Sequence, residues 1–416
     1  MGWMNSVALG AMASVSIAAL ASPGLAAAQT SSAPEVPPAA PAPRVTFDRG
    51  QGMEIESADG QHAVRMSLRG QGRATVEAPH AREPAVGFTI PRARLNLSGR
   101  VFGYENHFKV QLAFSPTDLG VRDGLVTRTP LLDYVFELRH LRDLILRVGQ
   151  YKLPLNRERI MSSGALSFVD RSLVDAELGM DRDLAVEVRS SDLFGLGRLR
   201  YHLGIGSGEG RDGGVGTNAG LTYFGRVEVL PLGSFRDHQE PDLARHAQPR
   251  LSLGFAFAFV DDAARSQGLR GDPFSDGGTT DQQLYCADLL FFARGLSAQL
   301  EVLYTDGHRS PGGALDEAGA PLPVSPPRRG LGALARLGWL LPDVPIELGA
   351  RFAITQTFVA PEETALPERR EVTGALSWYA SGHALKLQLD VGHLWTGDGP
   401  LDEGTTRVRL QLDATL

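Results

Sequence analysis

Arginines recur with a fixed parity through the first third of the chain. Arg65, Arg69 and Arg73 stand four apart, Arg92, Arg94 and Arg100 share even positions, and Lys109 and Arg147 fall in similar alternating runs. A guanidinium stays charged at any physiological pH and offers a planar fork of donors that fits phosphate or carboxylate oxygens. Such groups along a wet surface would hold anions at several moderate sites, from which each ion can leave again. Arg157, Arg159 and Arg171 form a second basic group, with Glu158, Asp170 and Asp175 as partners nearby in sequence. The same arginines could instead be soluble filler paired with Glu77, Glu137 and Glu187, and spacing leaves both readings open.

Other chemistry is poorly represented. Ser162, Ser163, His202, His383 and His393 are present, but no motif sets a nucleophile beside its base. Gly204 to Gly216 is rich in glycine yet lacks the lysine and the strand–loop–helix setting of a phosphate-binding loop. The lone Cys286 excludes an intramolecular disulfide and a cysteine-based zinc site. No catalytic group, metal or cofactor is therefore expected. A net charge of -7 disfavours nucleic acid as a partner, since binding it requires a basic surface. The acids gather in the expected loops 237–242, 261–281 and 398–403, whereas the arginines gather in the alternating segments.

Those segments must be strands. From His62 to Glu77 the even positions are His62, Val64, Met66, Leu68, Gly70, Gly72, Ala74 and Val76, against Arg65, Ser67, Arg69, Gln71, Arg73 and Thr75. Ala93, Leu95, Leu97, Gly99 and Val101 oppose Arg92, Arg94, Asn96, Ser98 and Arg100 in the same way. The pattern returns around Lys109, Arg147, Arg200 and Lys386, and again in the last residues, where Val408, Leu410, Leu412, Ala414 and Leu416 alternate with Arg407, Arg409, Gln411 and Asp413. A period of two gives a helix no coherent apolar stripe, but it gives a strand one oily and one wet face. After the amino-terminal run no window approaches the ~20 apolar residues of a membrane-crossing helix, so any crossing must use strands. Turn-rich gaps divide the chain into about sixteen strands, within the range of bacterial barrels. The fold class predicted is all-β: a transmembrane antiparallel barrel of about sixteen strands, closed so that no backbone edge is left unpaired in lipid. Tyr134, Phe136, Tyr201, Tyr223, Phe255, Phe257, Tyr304, Trp339, Trp378 and Trp395 could supply its interfacial girdles.

Three regions follow. Residues 1–28 carry an apolar run around Val7 to Ala21 and a small-residue site at Ala26, Ala27 and Ala28, which predicts a cleaved signal peptide and export. Residues 29–60 begin with a proline- and alanine-rich stretch that would stay extended, a periplasmic linker and amino-terminal segment. Residues 61–416 form the barrel. Between the strand ending near Lys152 and the one beginning near Asp183 lie about thirty residues, a length usually functional; folded inward, they would narrow the lumen.

Four stretches resemble the phosphate-selective porin O and P family of Gram-negative outer membranes: GMEIESADGQHAVRMSLRGQGR from Gly52, IPRARLNLSGRVFG from Ile90, LRVGQYKLPLNRERIMSSGALSFVDRSL from Leu146 and GHALKLQLDVGHLW from Gly382. The resemblance implies a sixteen-stranded barrel in the outer membrane, usually a homotrimer, whose lumen is narrowed by inward loops and lined with basic side chains. Its partners would be outer-membrane lipid and small anions or other hydrophilic solutes. Such barrels typically end in an aromatic residue, where this chain has Leu416. Two other readings remain at this level: a plugged structural or adhesive barrel, and an outer-membrane hydrolase.

Overall fold

The computed structural model describes residues 42–122, 124–213, 220–397 and 399–416. The expected signal peptide and most of the proline- and alanine-rich stretch lie outside the described residues, as do Asp398 and residues 214–219 of the glycine-rich loop.

Sixteen antiparallel strands close into one barrel. They are β1 (Ala63–Pro79), β2 (Ala85–Arg100), β3 (Asn106–Ala113), β4 (Leu131–Leu141), β5 (Leu144–Lys152), β6 (Arg182–Ser190), β7 (Leu199–Gly206) and β8 (Thr222–Val229), then β9 (Arg250–Ala263), β10 (Thr279–Ala293), β11 (Leu296–Ser310), β12 (Arg329–Leu340), β13 (Ile346–Gln356), β14 (Arg369–Trp378), β15 (Leu385–Thr396) and β16 (Thr405–Thr415). Each pairs with the next, and β16 returns to β1 with Thr405 opposite Pro79 and Thr415 opposite Arg69. Leu416 completes the seam by exchanging backbone hydrogen bonds with Leu68 at 2.8 and 3.0 Å. A hairpin of Arg44–Asp48 and Gly52–Glu56 extends β1 at this end, and a Cβ on Gly50 at its tip (φ +75) would meet Ala384 at 2.5 Å.

Alternation places side chains as the residue pattern requires. Leu68, Val186, Leu203, Phe255, Leu300, Leu337, Leu389 and Leu412 are exposed on the outer face. On the inner face Gln299, Glu301, Arg336, Arg351, Gln388, Asp390, Arg409 and Gln411 are buried. Eight of the ten aromatics are exposed; Tyr201 and Trp395 are half-buried. The β1–β2 register slips between Gln71 and Arg73, where Ile90 and Pro91 together face Gly72. Proline cannot donate to a ladder, so a bulge is where a sheet accepts it. The extra residue moves the outward parity of β2 from Phe88 and Ile90 to Ala93 and Leu95, which sends Arg92 and Arg94 inward.

Residues 153–181, between β5 and β6, fold into the barrel through two short helices, Arg157–Ile160 and Leu173–Leu178; Ser172 caps the second by accepting from Asp175 N–H. Leu153, Leu155, Val174, Leu178 and Met180 pack on Phe224, Ala256, Ala258, Leu284, Leu303, Leu334 and Ala353 of the wall. Each fully buried Leu or Val contributes about 1.5–3 kcal/mol. Small wall residues make the fit: a Cβ on Gly332 would lie 2.8 Å from Val174 and Leu178. The apolar part of the loop therefore leans on β8–β13, while Leu166, Ser167 and Val169 are bonded by Glu347, Ser377, Lys386, Gln388 and Gln411 of β13–β16. A second segment, residues 230–249 between β8 and β9, enters from the other end; Glu240 N–H donates to Ala165 O at 2.7 Å, joining the two.

Candidate functional site

A passage runs between the loop and the wall formed by β2–β7. Its narrow part is a cavity of about 250 Å³ lined by Arg94, Lys109, Arg147, Arg182 and Arg189 of the wall, with the carboxylates of Asp133 and Glu228, and by Pro154, Ile160 and Ser162 of the loop. It shares Arg94, Lys109, Gln111 and Ser162 with a cavity of about 810 Å³ toward the Leu416 end. That larger cavity is lined by Arg49, Arg69, Arg94, Lys109 and Arg236, and no carboxylate is among its lining residues. Toward the far end a cavity of about 440 Å³ carries Arg128, Arg211, Arg265 and Arg270 with Asp181, Asp212 and Asp272.

Most of these cations are partnered. Arg69 bonds Asp413 at 2.7 Å and Ser163 at 2.9 Å, with the Asp413 side chain fully enclosed. Arg94 bonds Asp118 at 2.6 Å. Lys109 bonds Asp133 at 2.6 Å, the lysine side chain 46% exposed and the aspartate 6%. Asp133 also accepts from Arg182 at 2.6 Å, and Arg189 donates to Glu137 at 2.8 Å. Arg147 lies over the Tyr151 ring at 3.8 Å, with Glu137 and Glu187 at 3.5 and 3.8 Å. Asp118 and Asp413 stand outside the linings of both cavities, whereas Asp133 lines the narrow part beside Lys109 and Arg182. Burial alone would raise the carboxyl pKa of Asp118, on the loop after β3, but Arg94 outweighs it and holds the group below its usual value.

The other sequence candidates are held away from this passage. Arg65 bonds Glu54, and Arg100 bonds Glu56 and Gly60 O, so both secure the amino-terminal hairpin beside a recess of about 410 Å³. Arg73 and Arg92 grip Asp170 of the inward loop at 3.1 and 3.2 Å. Burial opposes charge on Asp170, yet these two arginines keep its pKa well below the ordinary value.

Arg157, Arg159 and Arg171 were expected to line a constriction; the structure gives them another place. Arg157 has no exposure and donates to Asp288 at 2.6 Å and to Ser252 at 2.9 Å. Arg159 pairs with Asp175 at 2.7 Å, and Arg171 donates to the carbonyls of Glu158 and Met161, both at 2.8 Å. They fasten the underside of the loop, because a loop inside a barrel must satisfy its own buried carboxylates and carbonyls. Sequence reasoning missed Arg182, Arg189 and Arg236. Arg189 shares the inward parity of Glu187, whereas Arg182, at the start of its strand, has the parity of the outward Leu184 and Val186 and is not found by alternation; Arg236 lies in the twenty residues between Val229 and Arg250, too many for a tight turn.

Among the described residues no hydrogen bond joins Ser162 or Ser163 to a histidine. Ser162 Oγ accepts from Gly164 N–H and Ser163 Oγ from Arg69, while His202 and His393 bond Glu187 and Thr406. Glu228, Asp237 and His238 come within 4.8 Å of one another, as do Cys286, Asp288 and Glu301. Arg157, Arg200 and Arg226 already bond Glu228, Asp237 and Asp288 in these groups, so a cation would have to displace guanidiniums.

No family model matches the chain, and no curated protein matches it in sequence. Among solved structures it superposes on an anion-selective porin from Comamonas acidovorans with a TM-score of 0.53 and 12% identity, covering 85% of this chain and 99% of that one. Salmonella typhi OmpF gives a TM-score of 0.54 at 8% identity over 90% and 100% of the two chains. Pseudomonas putida OprB gives 0.52 at 10% identity over 85% and 94%. At such identities the likeness is one of fold: the chain has the closed antiparallel barrel of the bacterial porins.

Proposed function

We propose that the protein is an outer-membrane channel for passive diffusion of small hydrophilic solutes, preferring anions. The observation that carries this is the 810 Å³ cavity with five cationic side chains and no lining carboxylate. In a water-filled lumen with low-dielectric walls, charge of one sign focuses the field and raises the local concentration of the opposite ion. Several moderate cationic sites in series, rather than one deep trap, let ions leave as well as enter. The exposed outer belt of Leu, Val, Phe, Tyr and Trp is the surface that lipid would cover. On this reading the end carrying Leu416 faces the periplasm, residues 1–28 are removed on export, and residues 29–60 lie on the periplasmic side. Membership of the phosphate-selective porin O and P family, and a trimer, rest on the sequence resemblance; light scattering of the detergent complex would measure the latter.

Solute uptake tests the channel. Proteoliposomes holding the purified protein should swell in isotonic solutions of small sugars and faster in those of equally small organic anions. No swelling in any solute would overturn the channel and favour a plugged barrel, for which Asp170 bonded across the lumen to β1 and β2 is the supporting observation.

A further inference from the structure

Residues 230–249 do more than close the turn between β8 and β9. The segment is pinned on both sides of Arg236. Phe235 packs its ring against Phe292 and His246 at 5.5 and 6.0 Å. Asp237 bonds Arg200 of the wall at 2.9 Å and Arg157 of the inward loop at 3.4 Å. Further on, the Glu240 carboxylate accepts from Ser167 N–H at 3.0 Å and faces Arg336 at 3.3 Å. So fixed, the segment stands as a partition in this half of the barrel. On one side is the 810 Å³ cavity along β1–β3; on the other is a cavity of about 490 Å³ along β6–β8, and Arg236 and Gln239 line both. Each cavity in turn shares residues with the narrow passage: Arg94 and Lys109 for the first, Arg189 and His202 for the second.

Arg236 is exposed and, among the described residues, has neither a hydrogen bond nor an ion pair, as is also true of Arg49 at the hairpin tip, whereas Arg69, Arg94, Lys109, Arg189 and Arg200 each have a carboxylate partner. Of these two unpaired cations only Arg236 lines both cavities. A paired charge acts on a passing ion through its residual dipole; an unpaired one acts with its full field.

We propose that Arg236, standing where the lumen divides, is a specificity-determining residue that sets the anion preference of both branches. This rests on the channel reading given above. A unit charge about 6 Å from a permeating ion in a water-like dielectric changes that ion's local occupancy roughly threefold at low salt.

The test is Arg236→Cys in planar bilayers, with the zero-current potential read under a KCl gradient before and after a trimethylammonium-bearing or a sulfonate-bearing methanethiosulfonate. The variant should lose about threefold in chloride-over-potassium permeability; the cationic reagent should restore it, and the anionic one should lower it further. Wild type, whose only cysteine is the buried Cys286, should not respond. Because the side chain has no partner, the variant should melt with wild type, and Arg236→Gln provides a thiol-free check. Anion preference in wild type with no change in either variant or after either reagent would overturn this inference alone. Cation preference in wild type would overturn it together with the proposed function.

Discussion

Lys109 and Arg157 carry the same formal charge and differ in what surrounds them. Lys109 is nearly half exposed, and its partner Asp133 keeps Arg182 as a second counter-ion. Lys109→Gln should therefore cost less than about 1 kcal/mol in thermal unfolding while reducing anion preference. Arg157 is sealed among Asp288, Asp237 and Glu228 at 2.6, 3.4 and 3.6 Å. Arg157→Ala leaves three buried carboxylates sharing only Arg200 and Arg226 among the described residues, one buried negative charge in excess, and should cost about 3–5 kcal/mol, measured by unfolding in detergent. Nothing local in the sequence separates the two, because the partners are remote: Arg157 and Asp288 are 131 positions apart, Arg69 and Asp413 344. Alternation tells which residues face inward and not which of them meet an acid.

Glu158 makes the seat of the loop sensitive to pH. Burial pushes its carboxyl up to about 8; Asp175 and Glu301 add repulsion, and Arg351 opposes them. Its own N–H donates to the Glu301 carboxylate at 3.0 Å. An acid with a folded-state pKa above its unfolded value of 4.5 favours the folded state while it remains protonated. That contribution is whole below pH 4.5 and is lost as pH rises through about 8. Protease protection of the loop should accordingly weaken between these values, and Glu158→Gln should flatten the slope; an unchanged slope in the variant would assign the effect elsewhere.

At the scale of elements, the strands were legible and the two inward segments only partly so. Period-two patterning is local, and a strand needs no distant partner to declare its faces. The parity change at Pro91 was hidden in the alternation after Arg92, since proline marks an irregularity without saying which way the register slips. The length of residues 153–181 announced an unusual loop, but the wall it leans on was not readable. It chose β8–β13 because Ala256, Ala258, Gly332 and Ala353 leave room there. The acids of 237–242 read as loop charge; Asp237 and Glu240 in fact complete ion pairs inside the barrel. The apolar seat yields a direct prediction. Leu178→Ala should cost about 2–5 kcal/mol and loosen the loop, seen as larger and noisier single-channel conductance. Conductance equal to wild type would mean that the polar anchors alone hold it.

The whole molecule joins an oily exterior to a charged interior by closing one sheet on itself. The seam between β1 and β16 joins residues as far apart as Arg69 and Thr415, and closure is what lets a chain with 21% charged residues present an apolar belt. Inside, the loop takes one side of the lumen and the basic wall the other, and the larger cavity at the Leu416 end has cations and no carboxylate in its lining. This asymmetry underlies the anion preference we propose for the channel. Its most direct test is the zero-current potential of the purified wild-type protein in a planar bilayer under a KCl gradient: the sign should correspond to chloride passing more readily than potassium, and a potential of the opposite sign would contradict it.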